Sequence, residues 1–405
     1  MEKNWSKQAL IFINSLKNDN GSYSFSKKSS CASCLSTSFA LLALEVLQQK
    51  NLITDDSVSY ILKHQNNDGL FYDSIIEKNN KNQHDYKYIS HQITYHAIMV
   101  CDMLNIELPH NLVFLKEYKD KAYLKSWLEN LNWKNPWLVS NNIMFILYFF
   151  IYEQENYELE NEIYIQTIIE WLIKNQSNNT GYWDCNNKSS LHNQMAGAFH
   201  FLFFFDYLGI NIQHKEEIIN STLLIQEYDG LYSYASGGGS CDDLDGIDIL
   251  CRLFNSGAEK NKIRKSLLKS YNSLTKNQNY DGGFCWAKRR NFNWKNIIHI
   301  IPLRLILKRK NIDAKNSFFM KNKNIIYSLL FKQKLTWCYS GIKDYKIYID
   351  DSDIFSTWFR VLSLTLIEKT LDNKNNIIRE KCGIGFLKNV NINFFNFIFF
   401  TYYFL

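Results

Sequence analysis

Three carboxylates fall within four positions at Asp242, Asp243 and Asp245, directly after three consecutive glycines, Gly237 to Gly239. Capping a helix start needs only one acid, so this cluster exceeds what a cap requires. Close carboxylates repel when ionised, which raises the pKa of at least one and makes a proton donor; the helix dipole acts in the opposite sense. Other polar residues group in the same way at the starts of apolar runs: Ser90, His91 and Gln92; Asn141 and Asn142; His192, Asn193 and Gln194; Asp350, Asp351 and Asp353. Asp350 and Asp353 also suit plain capping.

The elements that must position these residues repeat. An amphipathic run, a polar turn with a glycine, and an aromatic recur at Gly21 and Tyr23, Gln65 to Gly69 and Phe71, Gln176 to Gly181 and Trp183, Gln226 to Gly230 and Tyr232, and Gln278 to Gly282 and Phe284. The glycine spacings are 48, 112, 49 and 52 residues. The value of 112 spans two periods, with a degenerate unit around Trp133 to Trp137, and a looser last unit has its glycine at Gly341.

The run before each turn has one apolar face, as in Ile165, Ile168, Ile169, Leu172 and Ile173, or Ile263, Leu267, Leu268, Tyr271 and Leu274. The run after it is apolar nearly all round, as in Leu35 to Leu47, Ile143 to Tyr152, Met195 to Leu208 and Ile354 to Ile367. Outer and inner helices of a repeated hairpin follow. Neither terminus reads as a polar cap, so the stack is expected to close on itself. The fold predicted is all-α, an α/α toroid: a closed double ring of about seven hairpins over residues 1–372, with 373–405 as a C-terminal extension ending in an aromatic tail. Because every inner helix follows the same turn, all inner-helix starts face one end of a central cavity. Aromatics further along, Phe145, Tyr148, Phe149, Phe199, Phe203, Phe204, Trp358 and Phe359, would make its walls or its surrounding core.

A net charge of +6 on 86 charged side chains is mild, and no nucleic-acid partner is expected. The basic runs Lys288 to Arg290 and Lys308 to Lys310 read as solvated surface. Nine scattered cysteines and a start without a basic-then-apolar leader fit a reducing cytoplasm. Cys31 and Cys34 form one CxxC without a second pair, so zinc is not expected. The tail Asn391 to Leu405 is apolar but shorter than a membrane span, which allows peripheral membrane contact.

The recurring Gln-to-Gly-to-aromatic phrase resembles the QW repeat of squalene-hopene-type cyclases, class II diterpene cyclases and protein prenyltransferase β subunits, most fully from Trp171 and Gln176 through Gly181 to Trp183. The resemblance covers residues 5 to 370. In the cyclases the middle acid of an Asp-x-Asp-Asp motif supplies the initiating proton. On that pattern Asp242 is the donor and Asp243 its neighbour, with Ser240 in place of the first acid. In the prenyltransferases zinc is held by an Asp-x-Cys pair and a later His; here Asp245 is followed by Gly246 and Ile247, and Ser356 stands for the His.

The resemblance implies proton-initiated cyclisation or isomerisation of a polyprenyl or isoprenoid substrate, with Asp242, Asp243 and Asp245 catalytic. Substrate contacts would come from His91, His192, Phe199, Phe203, Asp353 and Trp358. The partner is then a hydrophobic small molecule and no cofactor is required. An alternative gives the acids Mg²⁺ and a diphosphate substrate; another is a non-catalytic toroid that serves as a binding or scaffold module. Acids lining an enclosed cavity would favour an enzyme.

Overall fold

A left-handed glycine builds each of five turns, and four of them add a glutamine. The computed structural model describes residues 4–29, 31–73, 86–157, 159–185, 189–227, 229–233, 237–257, 259–288, 335–372 and 378–388. Gly21, Gly69, Gly181, Gly230 and Gly282 have φ between +72° and +90°, a region that side chains with a Cβ avoid. There is no room for a Cβ either: one on Gly69 would lie 2.3 Å from the Asn111 carbonyl oxygen, and one on Gly282 2.1 Å from that of Gln8.

The glutamine amide spans the same junction. Gln65 Nε2 donates to the carbonyl of Gly69 in its own turn (3.1 Å) and to that of His110 in the next unit (2.8 Å). Gln176 does so with Gly181 and Gln213, and Gln226 with Gly230 and Ser266. Gln278 reaches Gly282 (2.9 Å) and Trp5 (2.8 Å), tying the last of these turns to the first helix. The aromatic that ends the turn donates its backbone N–H to the following inner helix: Tyr23 to Thr37 Oγ1, Phe71 to Thr94 Oγ1 and Phe284 to Thr357 Oγ1.

These turns join outer helices α1 (Asn4–Asn14), α3 (Asp55–Leu62), α5 (Lys121–Glu129), α7 (Glu162–Lys174), α9 (Lys215–Ile225) and α11 (Lys260–Leu274) to inner helices α2 (Cys34–Val46), α4 (Tyr86–Leu104), α6 (Pro136–Tyr157), α8 (Leu191–Tyr207), α10 (Ser240–Arg252) and α12 (Ile354–Asp372), with residues 130–135 making the link from α5 to α6. The two classes differ as their patterns require. Every residue of α2 is buried, whereas α7 buries Ile165, Ile168, Ile169 and Leu172 and exposes Ile163 and Glu170. Each inner helix packs on the next, α2 on α4, α4 on α6, α6 on α8, α8 on α10 and α10 on α12, and α12 packs back on α2.

The ring therefore closes on six inner helices among the described residues, where about seven hairpins were expected. The reason lies in the last unit. Its turn at Gly282 and its helix α12 are separated by an insertion, and Gly341 belongs to that insertion. The described part is a small antiparallel hairpin, β1 (Thr336–Trp337) with β2 (Ile347–Tyr348), joined by two short 3-10 turns. It lies across the mouth at the inner-helix starts: Tyr345 stacks on Phe25 (4.1 Å, 6°), Ser340 donates to Gln92 (2.8 Å) and Trp337 stacks on Trp286 (4.4 Å).

The other mouth is covered by residues 378–388. Arg379 pairs with Glu45 (2.8 Å) and donates to the Met99 carbonyl, the Ile384 N–H donates to Tyr95, and Arg252 donates to the Phe386 carbonyl. Arg289, Arg290, the run Lys308 to Lys310 and the tail Asn391 to Leu405 lie outside the described residues. No described helix is long and apolar enough to cross a membrane.

Replacing Gln278 with Ala leaves the carbonyls of Trp5 and Gly282 without this donor and is expected to cost about 1–3 kcal/mol in urea unfolding. Gly282→Ala should cost more than Gln278→Ala. Gly257→Ala, where a Cβ meets nothing within 4 Å, should cost less than either.

Candidate active site

Two of the three glycines before α10 are explained by the carboxylates they meet, and the first, Gly237, by the Lys288 carbonyl, 2.7 Å from where its Cβ would lie. Gly238 has φ +89°, and a Cβ there would lie 2.6 Å from Asp243 Oδ2 and 2.8 Å from Arg360 Nη2; one on Gly239 would lie 2.5 Å from Asp242 Oδ2. The loop thus descends onto the start of α10 through a space that no side chain could share.

Asp243 is fully buried. It accepts the N–H of Tyr232 (2.6 Å) and of Gly239 (3.1 Å) and pairs with Nη1 of the equally buried Arg360. Arg360 also donates to the Trp286 carbonyl (2.8 Å). Burial pushes the Asp243 carboxyl up and Arg360 opposes it. Each of these contacts aims a donor at the carboxylate, so Asp243 serves here as an acceptor. Its bond to Tyr232 is the one that Thr37, Thr94 and Thr357 make in other repeats, and it holds the turn to its inner helix. Asp248 is likewise engaged, by Nε and Nη2 of Arg252 (3.0 and 2.8 Å).

Asp242 and Asp245 differ from these. Asp242 is half-buried at the helix start; burial pushes its carboxyl up to about 7, while the Cys241 thiol, Arg360 and Ser233 pull it down. Asp245 lies one turn deeper, 2% exposed, and its Oδ2 has no hydrogen-bond partner. Burial raises its carboxyl well above the ordinary range, and the charges of Asp242, Asp248 and Asp243 raise it further. An ionised carboxylate in that position would be costly, so burial favours the protonated form of Asp245.

Asp245 opens onto a cavity of about 440 Å³ in the bore of the ring. Polar groups around it come from α4, α6, α8 and α10 (Gln92, His96, Asn141, His200, Cys241 and Asp245) and from the hairpin (Thr336, Cys338 and Ser340). The aromatic wall comes from Phe199, Trp286, Trp337, Tyr339, Phe355 and Phe359, and Ile384 of the C-terminal segment also lines it. Lys346, exposed, stands at its edge.

Two histidines line the same cavity as Asp245. His96 Nδ1 lies 2.7 Å from the Gln92 carbonyl, which can only accept, so the proton is on Nδ1 and Nε2 is the acceptor. His200 Nδ1 lies 2.8 Å from Ser140 Oγ, whose own proton goes to the Trp137 carbonyl, which fixes the same tautomer. Burial lowers His96 to about 4 and His200 to about 3, so both are neutral bases at pH 7. Neither histidine belongs to the polar groups at the inner-helix starts. Their signal was a titratable residue inside an otherwise apolar run.

The remaining candidates are dispersed. Phe199 lines the cavity; Phe203 packs against Phe204 (4.3 Å) in the core, and Trp358 against Phe39 (5.6 Å) and His96 (5.7 Å). His192 is bonded through Nε2 to the Tyr232 carbonyl, and burial lowers it to about 4. Asp353 caps α12, accepting the Ser356 N–H at 2.7 Å, and burial raises it to about 7. His91 lines a different cavity, between α4 and α6.

Comparison with known proteins matches the sequence to the prenyltransferase alpha-alpha toroid domain over residues 1–119 and 115–291. No curated protein sequence matches the chain. Among solved structures, two variants of the type II terpene cyclase MstE from Scytonema, each in complex with geranylgeranyl dihydroxybenzoate, are similar at a TM-score of 0.46 and 12% identity, over 91% of this chain and 97% of theirs.

The buried pair gives a test of the Asp243 assignment. Arg360→Met strands a buried carboxylate and is expected to cost about 3–5 kcal/mol in chemical unfolding. Adding Asp243→Asn to it should recover part of that loss, as expected for two residues in direct contact.

Proposed function

The chain belongs to the prenyltransferase alpha-alpha toroid family, and from that premise we propose that it is a terpenoid-cyclase-like enzyme whose proton donor is Asp245. The observation that carries this reading is a buried, unpartnered carboxyl opening onto an aromatic cavity inside the ring. Asp242 and Asp243, which the resemblance favours as donor and neighbour, do not line that cavity. Asp243 is a positioning residue, and Asp242 acts on Asp245 through its charge.

In the proposed reaction an isoprenoid chain lies against Phe199, Trp286, Trp337, Phe355 and Phe359. Asp245 gives its proton to a terminal alkene or epoxide, leaving a cation on the adjacent carbon. The alkene π electrons of the chain close the ring, and aromatic faces stabilise the cation as it moves. His96 or His200 then takes a proton from the carbon next to the final cation, forming a double bond. One proton enters and one leaves, so an alkene substrate is isomerised without a redox partner. Exclusion of water by the hairpin and the C-terminal segment protects the cation from capture.

Incubating the protein with isoprenoids of graded length, followed by mass spectrometry of the products, tests this. Asp245→Asn, with an unchanged unfolding transition, should reduce product by about 10²–10⁴-fold; product at the wild-type rate would exclude Asp245 as the donor. The donor works protonated, so kcat/KM should hold at low pH and fall as pH rises through the Asp245 pKa. An ionised Asp242 raises that pKa, so Asp242→Asn should move the descending limb to lower pH while leaving the enzyme active.

A further inference from the structure

His91, expected at the central site, instead lines a second cavity of about 290 Å³ that shares no lining residue with the first. It lies among α4, α6, α5 and the 3-10 segment Val113–Tyr118. His91 is 3% exposed and its Nε2 has no hydrogen-bond partner. Phe114 (5.4 Å) and Phe149 (6.0 Å) hold the ring. Burial lowers the imidazole to about 3, so it is neutral and able to share a hydrogen bond with a neutral group.

Above it stand aromatic walls. Tyr118 contacts Trp127 at 5.2 Å and 76°, and Tyr123 at 6.1 Å. At the rim Lys87 Nζ lies 2.6 Å from Glu117 Oε2, both side chains 45% exposed, and 5.1 Å from the centre of the Tyr118 ring. The Tyr123 hydroxyl donates to Glu117 Oε1 (2.7 Å).

The lining thus combines a positive and a negative group side by side where it is exposed, aromatic rings set edge to face, and a buried polar group without a partner. A ligand with one charge would satisfy one rim group at the expense of the other. A zwitterion satisfies both, and an exposed ion pair is weak enough to re-partner at little cost. The volume is near the lower end for small-molecule sites, about 300 Å³.

We propose that this cavity binds a small zwitterion carrying a hydroxylated aromatic ring, with its ammonium on Glu117, its carboxylate on Lys87, its ring against Tyr118 and Trp127, and its hydroxyl on His91. The site is independent of the central cavity and of the reaction proposed for it.

Calorimetric titration of the full chain with L-tyrosine, L-phenylalanine and tyramine tests this. L-Tyrosine should bind saturably, at least tenfold tighter than L-phenylalanine, which lacks the hydroxyl, and than tyramine, which lacks the carboxylate. His91→Phe should bring tyrosine to the affinity of phenylalanine without weakening phenylalanine, a change that general damage would not produce. Lys87→Gln should bring tyrosine to the affinity of tyramine, and serves if His91→Phe does not fold. Absence of saturable tyrosine binding, or preservation of both preferences in the variants, would overturn the assignment.

Discussion

One side-chain amide holds the architecture together. Each repeat glutamine donates one hydrogen to the glycine carbonyl of its own turn and the other to a carbonyl of the next unit, so a single group fixes both the turn and the angle between neighbours. The glycine carbonyls belong to buried residues and would be costly to leave without a donor. The glycine beside each glutamine lets the backbones approach closely enough for that reach. When Gln278 makes its second bond to Trp5, the array has no free end. Closure, and with it an enclosed bore, follows from the repetition of a local contact.

The bore acquires its chemistry by division of labour along one helix. Four acids fall within two turns of α10, and two are engaged by arginines: Asp243 by Arg360 and Asp248 by Arg252. Those pairs anchor α10, the first to the glycine loop and α12, the second to α8 through Asp206. The remaining two, Asp242 and Asp245, carry no arginine among the described residues. Of these, only Asp245 reaches the cavity. The same burial that favours the protonated form of Asp245 favours neutral His96 and His200, because each effect disfavours the charged form. A carboxyl and two imidazoles, all biased toward neutrality, therefore line one cavity.

Much of the fold was legible because it is periodic. The positions of Gly69, Gly181, Gly230 and Gly282, and the alternation of one-faced and fully apolar runs, are local properties that survive folding unchanged. The number of hairpins was less legible: Gly341 imitates a repeat glycine, but its neighbourhood folds as an insertion over the mouth of the ring. At the site, the sequence exposed the acidic cluster and not its partition. That Asp243 meets an arginine depends on Arg360, 117 residues beyond it, and no spacing rule reaches that far. Motif likeness favoured Asp242 as donor, whereas helical geometry turns Cys241 and Asp245, four residues apart, toward the bore. His91 and His192 read alike at two helix starts, yet one faces a separate cavity and the other is bonded to the backbone of the next turn.

The central claim is that Asp245 is a carboxylic acid at neutral pH, poised to give up a proton. Infrared difference spectroscopy of wild type against Asp245→Asn at pH 7 tests it most directly, through the C=O stretch of a protonated carboxyl. The account predicts such a band in the wild type that disappears in Asp245→Asn and persists in Asp243→Asn. A difference spectrum showing only loss of ionised carboxylate on replacing Asp245 would contradict it.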